Sequence, residues 1–283
     1  MPLKINPLLF IICPLLFACN AQRYMYSTPA ANVCYFKEKN DSKVAAYYFE
    51  GGNGGNDEMQ RISNKGYEVQ AGYAYSNNWA LTASYSSRSE RDSSFNNYDQ
   101  LYDQSEVSYK RNAFEIGIGR FSSKKKRNWS TGNVYFGLGF GKYNILDNGT
   151  DSGGRYSKTH TTPFLNFFIY PSYNFMDEGF FNASIGTRLN FMRYGNSSST
   201  YFSNEKNFWG FSRLNNKLCV FVEPNVNLQF KLPGLYWLRL ETNINFQLID
   251  IGFPEATRLS QRRGGVSIGL YVDPVAAFGR SKK

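Results

Sequence analysis

The feature that most constrains the fold is a pair of long alternating segments, 217–232 and 237–250, joined by Pro233-Gly234. Apolar and polar side chains alternate through both segments, which is the period of a β-strand because successive side chains leave opposite faces. The Pro-Gly pair predicts a tight turn, and therefore one long hairpin with an apolar and a polar face. Soluble strands average about 5–6 residues, whereas about 9–11 tilted residues cross a bilayer. The hairpin therefore predicts strands of a transmembrane β-barrel.

The alternation recurs along the chain and gives ten predicted strands. They cover residues 42–50, 66–75, 79–88, 111–121, 132–145, 160–175, 180–194, 217–232, 237–250 and 264–273. Short connections alternate with long ones, as in bacterial outer-membrane barrels with short periplasmic turns and long external loops. The short ones are 76–78, 122–129, 176–179 and 233–236; the long ones are 51–65, 89–110, 146–159, 195–216 and 251–263. We predict an all-β fold, an antiparallel up-and-down transmembrane β-barrel of ten strands, with eight strands as the alternative.

The period alone leaves open which face of each strand is outside. In a soluble sandwich or a lipocalin-like barrel the apolar face would form the core. Strand length, uniform hairpins and aromatic residues near the ends of the apolar bands favour the membrane barrel, in which those aromatics form an interfacial girdle. The girdle candidates are Tyr75, Trp79, Tyr173, Phe175, Tyr236 and Trp237.

The N-terminus carries one Lys and then an apolar run of about a dozen residues, too short to span a membrane as a helix and typical of a signal peptide. Leu16-Phe17-Ala18-Cys19 resembles the bacterial lipobox, which implies cleavage before Cys19 and a lipid anchor on that residue. We predict a signal peptide (1–18), a lipidated periplasmic lead-in (19–41), the barrel (42–275) and a basic periplasmic tail (276–283). An even strand count places both termini on the periplasmic side.

Several segments resemble a known class of proteins. The lead-in residues Tyr26, Pro29, Asn32 and Phe36, with the phrases GYEVQAGYAYSNNWALTASYS and FEIGIGRF, resemble a Gram-negative outer-membrane β-barrel lipoprotein of the small OmpA/OmpW/PorT-like type. The resemblance is one of pattern over most of the chain, and Cys34 stands where that pattern has a proline. It implies an outer-membrane location and contact with membrane lipids and lipopolysaccharide, but no activity.

Charged residues also occur on the polar face, which would line the lumen. They are Glu68, Glu115, Arg188, Glu223, Arg239, Glu241 and Asp273. A narrow barrel buries its interior, and an unpaired buried carboxylate is costly, so we expect the two arginines to pair with some of the acids. A structural polar network filling the lumen is the favoured interpretation. A narrow small-solute or cation channel is the alternative, because acids outnumber bases in this set.

The loop 195–216 has an unusual aromatic content for an exposed segment. Its aromatic residues either pack over the barrel mouth or form a binding surface for a partner. They are Tyr201, Phe202, Phe208, Trp209 and Phe211. The only histidine, His160, is expected to be a solvated rim residue, with a rim hydrolase as a remote alternative.

No nucleophile motif or metal-ligand spacing occurs, so we predict no enzyme, catalytic residue, metal or cofactor. Cys34 and Cys219 are predicted to be free thiols, and bulges or missing ladder bonds are predicted at Pro163, Pro171 and Pro224. The net charge of +10 comes from scattered basic residues, which excludes nucleic acid as the favoured partner. The predicted function is a monomeric structural or interaction role through the external loops, with an envelope protein as a possible partner.

Overall fold

The computed structural model describes residues 23–51, 60–95, 104–122, 130–151, 154–176, 180–253, 259–262 and 264–278. In chain order its strands are β1 (Arg23–Ser27), β2 (Ser42–Gly51), β3 (Gln60–Ala74), β4 (Trp79–Phe95), β5 (Gln104–Phe121), β6 (Ser130–Asp151), β7 (Gly154–Met176), β8 (Phe181–Tyr194), β9 (Ser198–Ser199), β10 (Leu218–Leu232), β11 (Leu235–Phe246), β12 (Ile249–Ile251), β13 (Leu259–Arg262) and β14 (Gly264–Val272). The helices are α1 (Ser203–Trp209), a 3-10 turn (Phe211–Arg213) and α2 (Pro274–Phe278). None of these described helices is long and apolar enough to cross a membrane.

Ten of the described strands close into one antiparallel barrel. Each wall strand pairs with its neighbours in sequence, and the closing contact joins β14 to β2. The strands outside this ring are short: β9 pairs with β7, β12 pairs with β10, and β1 pairs with β13. The ten-strand prediction is therefore confirmed, and the eight-strand alternative is wrong.

The wall strands extend beyond the predicted segments at one end of the barrel. β6 and β7 remain paired up to Asp151 opposite Gly154, so most of the predicted 146–159 loop is a β-hairpin. β4 and β5 likewise remain paired up to Phe95 opposite Gln104. Beyond a bilayer neither strand face needs to be apolar, so the alternation of hydrophobicity ends although the backbone pairing continues. The alternation therefore identified only part of each of these strands.

The apolar face of each strand lies on the outside of the barrel. Ile185 and Leu138 are 55% and 53% exposed, whereas Asn190 and Asn243 on the opposite face are fully buried. A soluble barrel would have the reverse arrangement, so the structure matches the membrane interpretation. Four girdle candidates are exposed near the short turns: Tyr75, Trp79, Tyr173 and Phe175.

Two of the three prolines lie at interruptions of the backbone ladders as predicted, whereas Pro163 pairs with Lys142 without a shift of register. The pairing of β10 shifts by one residue between Val222 opposite Ile249 and Asn225 opposite Asn245, so two residues of β10 face three of the neighbouring segment and the bulge lies opposite Pro224. Between β7 and β8 the ladder lacks the pairs of Tyr170 and Pro171, although the register on both sides is unchanged. Proline has no N–H to donate, so the neighbouring strand must bulge or leave a carbonyl without its ladder bond.

The two ends of the barrel differ. We call the end with the short connections, such as 75–78 and 233–234, the turn end, and the opposite end the loop end. The wall ends at Val272, and α2 lies at the turn end, where the Val275 amide donates to Ser42 Oγ (3.4 Å). Residues 1–18, Cys19 and 279–283, which carry the predicted signal, anchor and part of the tail, lie outside the described residues.

Candidate functional site in the barrel lumen

The lumen is occupied by the chain's own N-terminal residues 25–36, which we call the lumen segment. Its described side chains are buried except that of Asn32, which is half-buried. The prediction of a periplasmic lead-in outside the barrel is therefore wrong for these residues. The segment has no sustained strand period because it fills a cylinder rather than forming part of its wall, and small residues such as Ala30 and Ala31 let it fit.

The lumen segment crosses the barrel from the loop end to the turn end. At one end β1 runs parallel to β13, with Arg23 opposite Leu259. At the other end the Asn40 amide donates to the Ala74 carbonyl (2.7 Å), next to the first short turn. The N-terminal described residues therefore lie at the loop end, not at the turn end where the even strand count had placed them.

Wall side chains satisfy backbone polar groups of the lumen segment. The Ala30 amide donates to Glu68 Oε2 (3.1 Å), and Asn174 Nδ2 donates to the Cys34 carbonyl (2.9 Å). The Tyr194 hydroxyl donates to the Met25 carbonyl (2.9 Å). Buried backbone groups without such partners would be costly, so these polar wall residues bind an irregular strand inside the barrel.

The first charged network, which we call the Arg188 ring, joins the wall strands β5, β7, β8 and β10 to the lumen segment. It consists of Arg188, Glu115, Asn166, Asn190, Tyr26 and Glu223. Arg188 binds Glu115 through two parallel hydrogen bonds of 3.0 and 2.6 Å, the strong bidentate geometry of arginine and carboxylate. Asn166 Nδ2 donates to both Glu115 Oε1 (3.0 Å) and Asn190 Oδ1 (3.2 Å).

Tyr26 of the lumen segment closes the ring. Its hydroxyl donates to Glu223 Oε1 and accepts from Asn190 Nδ2 (2.9 Å). Glu223 Oε2 in turn lies 3.9 Å from Arg188 Nε. The Tyr26 ring stacks on Phe221 with centroids 4.0 Å apart. One aromatic side chain therefore combines an apolar contact with a hydroxyl that bridges two polar wall residues.

The second network, which we call the Lys43 cluster, lies nearer the turn end. It consists of Lys43, Gln70, Glu68, Glu241 and Asn227. Lys43 Nζ donates to the Val33 carbonyl of the lumen segment (2.7 Å) and to Gln70 Oε1 (3.0 Å). It also pairs with Glu241 Oε1 at 3.5 Å, and both side chains are fully buried. Glu241 further accepts from Asn227 Nδ2 (2.5 Å).

The charged residues singled out in the sequence divide into two groups. Five belong to the two buried networks: Glu68, Glu115, Arg188, Glu223 and Glu241. Arg239 and Asp273 instead line a cavity of about 130 Å³ at the turn end, where Arg239 donates to Gln229 Oε1 (2.8 Å). The expected pairing of an arginine with lumen acids holds for Arg188.

Sequence reasoning missed three cationic residues that also face the lumen. Lys43, Arg88 and Arg111 are 1%, 6% and 4% exposed. Each lies inside a predicted strand and has its inward parity, as Arg111 has with Glu115, so following the alternation to the ends of those strands would have identified them. Two acids were missed as well, Glu90 and Asp147, which are 6% and 3% exposed, so acids still outnumber bases among the inward charges.

Little free space remains in the middle of the lumen. The void between the lumen segment and the Arg188 ring, lined by Asn32, Glu115, Tyr135 and Arg188 among others, is about 20 Å³, enough for about one water molecule. Buried aromatic clusters lie on both sides of it. The loop-end cluster includes Met25, Tyr143, Tyr194 and Phe221, and the turn-end cluster includes Phe36, Phe121, Tyr135 and Tyr170.

The inward-facing glycines of β6 provide room for this filling. A Cβ built at Gly139 would lie 2.1 Å from Asn166 Oδ1 and 2.8 Å from Glu115 Cγ. One at Gly137 would lie 2.3 Å from the Phe168 ring. These contacts are too close for a side chain at either position, so the glycines of this strand allow the lumen side chains to pack close to its backbone.

The aromatic residues of the 195–216 loop divide into a buried set, which packs over the mouth as one alternative predicted, and an exposed set, for which a binding surface stays a prediction. Tyr201 and Phe211 are buried and Trp209 packs against the loop-end cluster, whereas Phe202 and Phe208 are 69% and 53% exposed. The buried aromatics cover the mouth, whereas Phe202 immediately precedes α1 and Phe208 lies within it.

His160 is buried, so the prediction of a solvated rim residue is wrong. Its imidazole stacks on Phe211 (centroids 3.9 Å apart) and shares a 2.8 Å hydrogen bond with Thr162 Oγ1. The loop 195–216 covers it because that loop folds down onto the inward faces of the long hairpins. Cys34 and Cys219 are free and buried, as predicted.

No protein-family model matches the chain, and no curated protein matches it. Solved outer-membrane proteins resemble the structure at very low sequence identity. The translocator domain of the autotransporter NalP from Neisseria meningitidis is 10% identical, with 83% of this chain and 88% of that chain covered and a TM-score of 0.48. An outer membrane channel from Pseudomonas putida F1 is 9% identical, with 84% and 97% covered and a TM-score of 0.37. OmpT of Vibrio cholerae is 7% identical, with 86% and 99% covered and a TM-score of 0.24. Likenesses this distant say nothing about what the lumen does.

Proposed function

We propose that the protein is a lipid-anchored outer-membrane barrel that is closed by its own lumen segment and acts through its external loops rather than by conducting solutes. Three parts of this proposal are separable: the anchor on Cys19, the closed lumen and the interaction role of the loops. The main observation in support of the proposal is that the lumen segment fills the barrel.

The closed state is supported by packing and by charge. A void of about 20 Å³ beside the Arg188 ring leaves room for about one water molecule, not for a continuous aqueous path. The ring joins Arg188 to Glu115 across two intervening wall strands and reaches the lumen segment through Tyr26. Opening a path would therefore break buried charge pairs, which is costly.

Conductance of the purified protein in planar bilayers tests the closed lumen. We expect no steady current steps from the wild-type protein. A variant whose residues 25–36 are replaced by a Gly/Ser stretch of equal length should give steps, because the connection is kept while the packing side chains are removed. Heat-modifiable gel mobility serves as the check that both proteins are folded barrels.

Two results would contradict the closed-lumen proposal. Current steps from the wild type would favour the alternative, a narrow small-solute or cation channel. A folded replacement variant that stays silent would mean that the lumen segment is not what closes the barrel.

The interaction role is supported by two exposed aromatics beside α1. Phe202 and Phe208 are more than half exposed, although large aromatics usually gain free energy by burial. Lys158 lies 5.8 Å from the Phe202 ring and pairs with Glu205, which fixes this edge of the loop. An apolar patch held by a short, ordered segment suits contact with another envelope protein.

A photo-crosslinking residue introduced at Phe208 tests this role in intact envelopes. We expect a discrete crosslinked band that is absent when the same residue replaces the exposed Asn204 on α1. Equal, diffuse labelling at both positions would show that the aromatic patch has no specific partner.

A further inference from the structure

We infer that the N-terminus of the mature chain emerges at the external face of the outer membrane, so that the lipid on Cys19 is anchored in the outer leaflet. The inference rests on the proposed lipid anchor and goes beyond it by assigning the leaflet. A lead-in attached to the turn end would anchor the protein in the inner leaflet instead.

The path of the lumen segment gives the direction. β1 pairs with β13, and β13 leads directly into β14, whose first residue Gly264 lies opposite Phe246 at the loop end of β11. Tyr26 then stacks on Phe221, and further along the chain Cys34 accepts its hydrogen bond from Asn174, near the turn end. The chain therefore runs through the lumen from the loop end to the turn end before β2 begins.

The length of the lumen segment fits a complete crossing. Twelve extended residues span at most about 40 Å, which exceeds the hydrocarbon core of about 30 Å. The two ends of the segment can therefore lie on opposite sides of the bilayer.

The remaining chain is too short to return to the inner leaflet. Three residues lie between Cys19 and Arg23, and the four Cα–Cα steps that join them extend at most about 14 Å. That is less than half of the hydrocarbon core of about 30 Å. The void between the lumen segment and the Arg188 ring, about 20 Å³, is too small for a second stretch of chain to pass beside the segment. Acyl chains on Cys19 therefore reach only the leaflet at the loop end.

The loop end is the external end if the barrel follows the usual orientation, with short turns in the periplasm. The C-terminal α2 lies at the turn end, beside Ser42. The two ends of the described chain, Arg23 and Phe278, therefore lie on opposite sides of the membrane, although the ten wall strands alone would place both ends of the wall on one side.

Cysteine labelling in intact cells tests the inference. The single substitution Gln22→Cys, made in the full chain, is treated with a membrane-impermeant maleimide. Asn204→Cys on α1 reports the loop end, and Pro233→Cys reports the turn end. The wild-type protein is the control for background labelling, because its two cysteines Cys34 and Cys219 are both buried.

We expect Gln22→Cys to be labelled in intact cells together with Asn204→Cys, and Pro233→Cys to be labelled only after the outer membrane is permeabilised. Labelling of Gln22→Cys only after permeabilisation, together with Pro233→Cys, would overturn the inference.

Mass spectrometry of the N-terminal peptide separates the anchor from the topology. Acyl chains on Cys19 together with external Gln22→Cys labelling support an outer-leaflet anchor. External labelling without acyl chains would refute the proposed lipid anchor and the leaflet assignment, while the external N-terminus would stand.

Discussion

The Arg188 ring and the Lys43 cluster are both buried charge networks in the lumen, but they hold the lumen segment differently. In the ring, Arg188 binds Glu115 of the wall directly, and the segment contributes a single hydroxyl, that of Tyr26. In the cluster, Lys43 donates to the segment's own backbone at Val33. The ring mainly ties wall strands together, whereas the cluster ties the segment to the wall.

This difference shows how a narrow barrel can hold an irregular segment such as the lumen segment. Side-chain contacts such as that of Tyr26 depend on one residue type, but contacts to carbonyl and amide groups accept any sequence that fits the space. The wall near the cluster therefore recognises the segment largely through its backbone, as Glu68 also does at the Ala30 amide. Four substitutions test separately how the Arg188 ring stabilises the wall and how the wall holds the lumen segment.

The largest effect is expected from Glu115→Ala, which removes the main partner of Arg188. A buried arginine left without its carboxylate destabilises a protein by about 3–5 kcal/mol. The free energy of unfolding, measured by urea titration in detergent, should fall by that amount. Glu106→Gln is the matched control, because the Arg91–Glu106 pair is 63% and 41% exposed and such pairs contribute about 0–1 kcal/mol. Equal losses in the two variants would contradict a special role for the ring.

Compared with Glu115→Ala, Lys43→Met should destabilise the barrel wall less but weaken the binding of the lumen segment more. Glu241 keeps its donor Asn227, so we expect a loss of about 2 kcal/mol, typical of a charged hydrogen bond. Current steps should appear in planar bilayers because the segment loses its bond at Val33. The exposed Lys37→Met serves as the control and should stay silent. If the Lys43→Met variant is folded but gives no current steps, the Arg188 ring alone retains the lumen segment.

Gly139→Ala tests whether the ring depends on the space left by β6. The added methyl would meet Asn166 Oδ1 at 2.1 Å, so Asn166 and Glu115 must move, at a cost of about 1–3 kcal/mol. Gly132→Ala on the same strand is the control, because nothing lies within 4 Å of its Cβ position. Matching unfolding free energies for the two variants would show that the ring adapts without cost.

Of the four test substitutions, Tyr26→Phe is expected to have the smallest effect on the free energy of unfolding. It removes the hydroxyl that bridges Glu223 and Asn190 but keeps the stacking on Phe221, so we expect a loss of about 1–2 kcal/mol. Tyr194→Phe removes only a neutral bond to the Met25 carbonyl and should cost about 1 kcal/mol or less. A larger loss from Tyr194→Phe would mean that the segment is held mainly through its backbone at the loop end as well.

The period of two predicted much of the wall and part of the site. It placed Glu115, Arg188 and Glu223 on the polar faces of their strands, because every second residue along a strand points to the same side of the sheet. It did not predict that Tyr26 lies between them, since 197 residues separate Tyr26 from Glu223. No local pattern carries a contact of that range.

The loop-end hairpins show a second limit. Residues 146–151 and 154–159 form paired strands, yet their sequence resembles a loop because both faces lie outside the apolar band. His160 was misplaced for a related reason. Its burial depends on Phe211 from a later loop, which is a tertiary contact and not a property of its own strand.

The sequence by itself determined ten strands and the face that each turns outward, because two different environments on the two sides of a wall impose an alternation that can be read locally. Only the tertiary structure decided what fills the cylinder and at which end the N-terminus lies. The lumen segment meets wall residues on almost every side, so no periodic signal marks it. Its position follows from hydrogen bonds between groups far apart in the chain, such as Tyr26 with Glu223 and Tyr35 with Asn227.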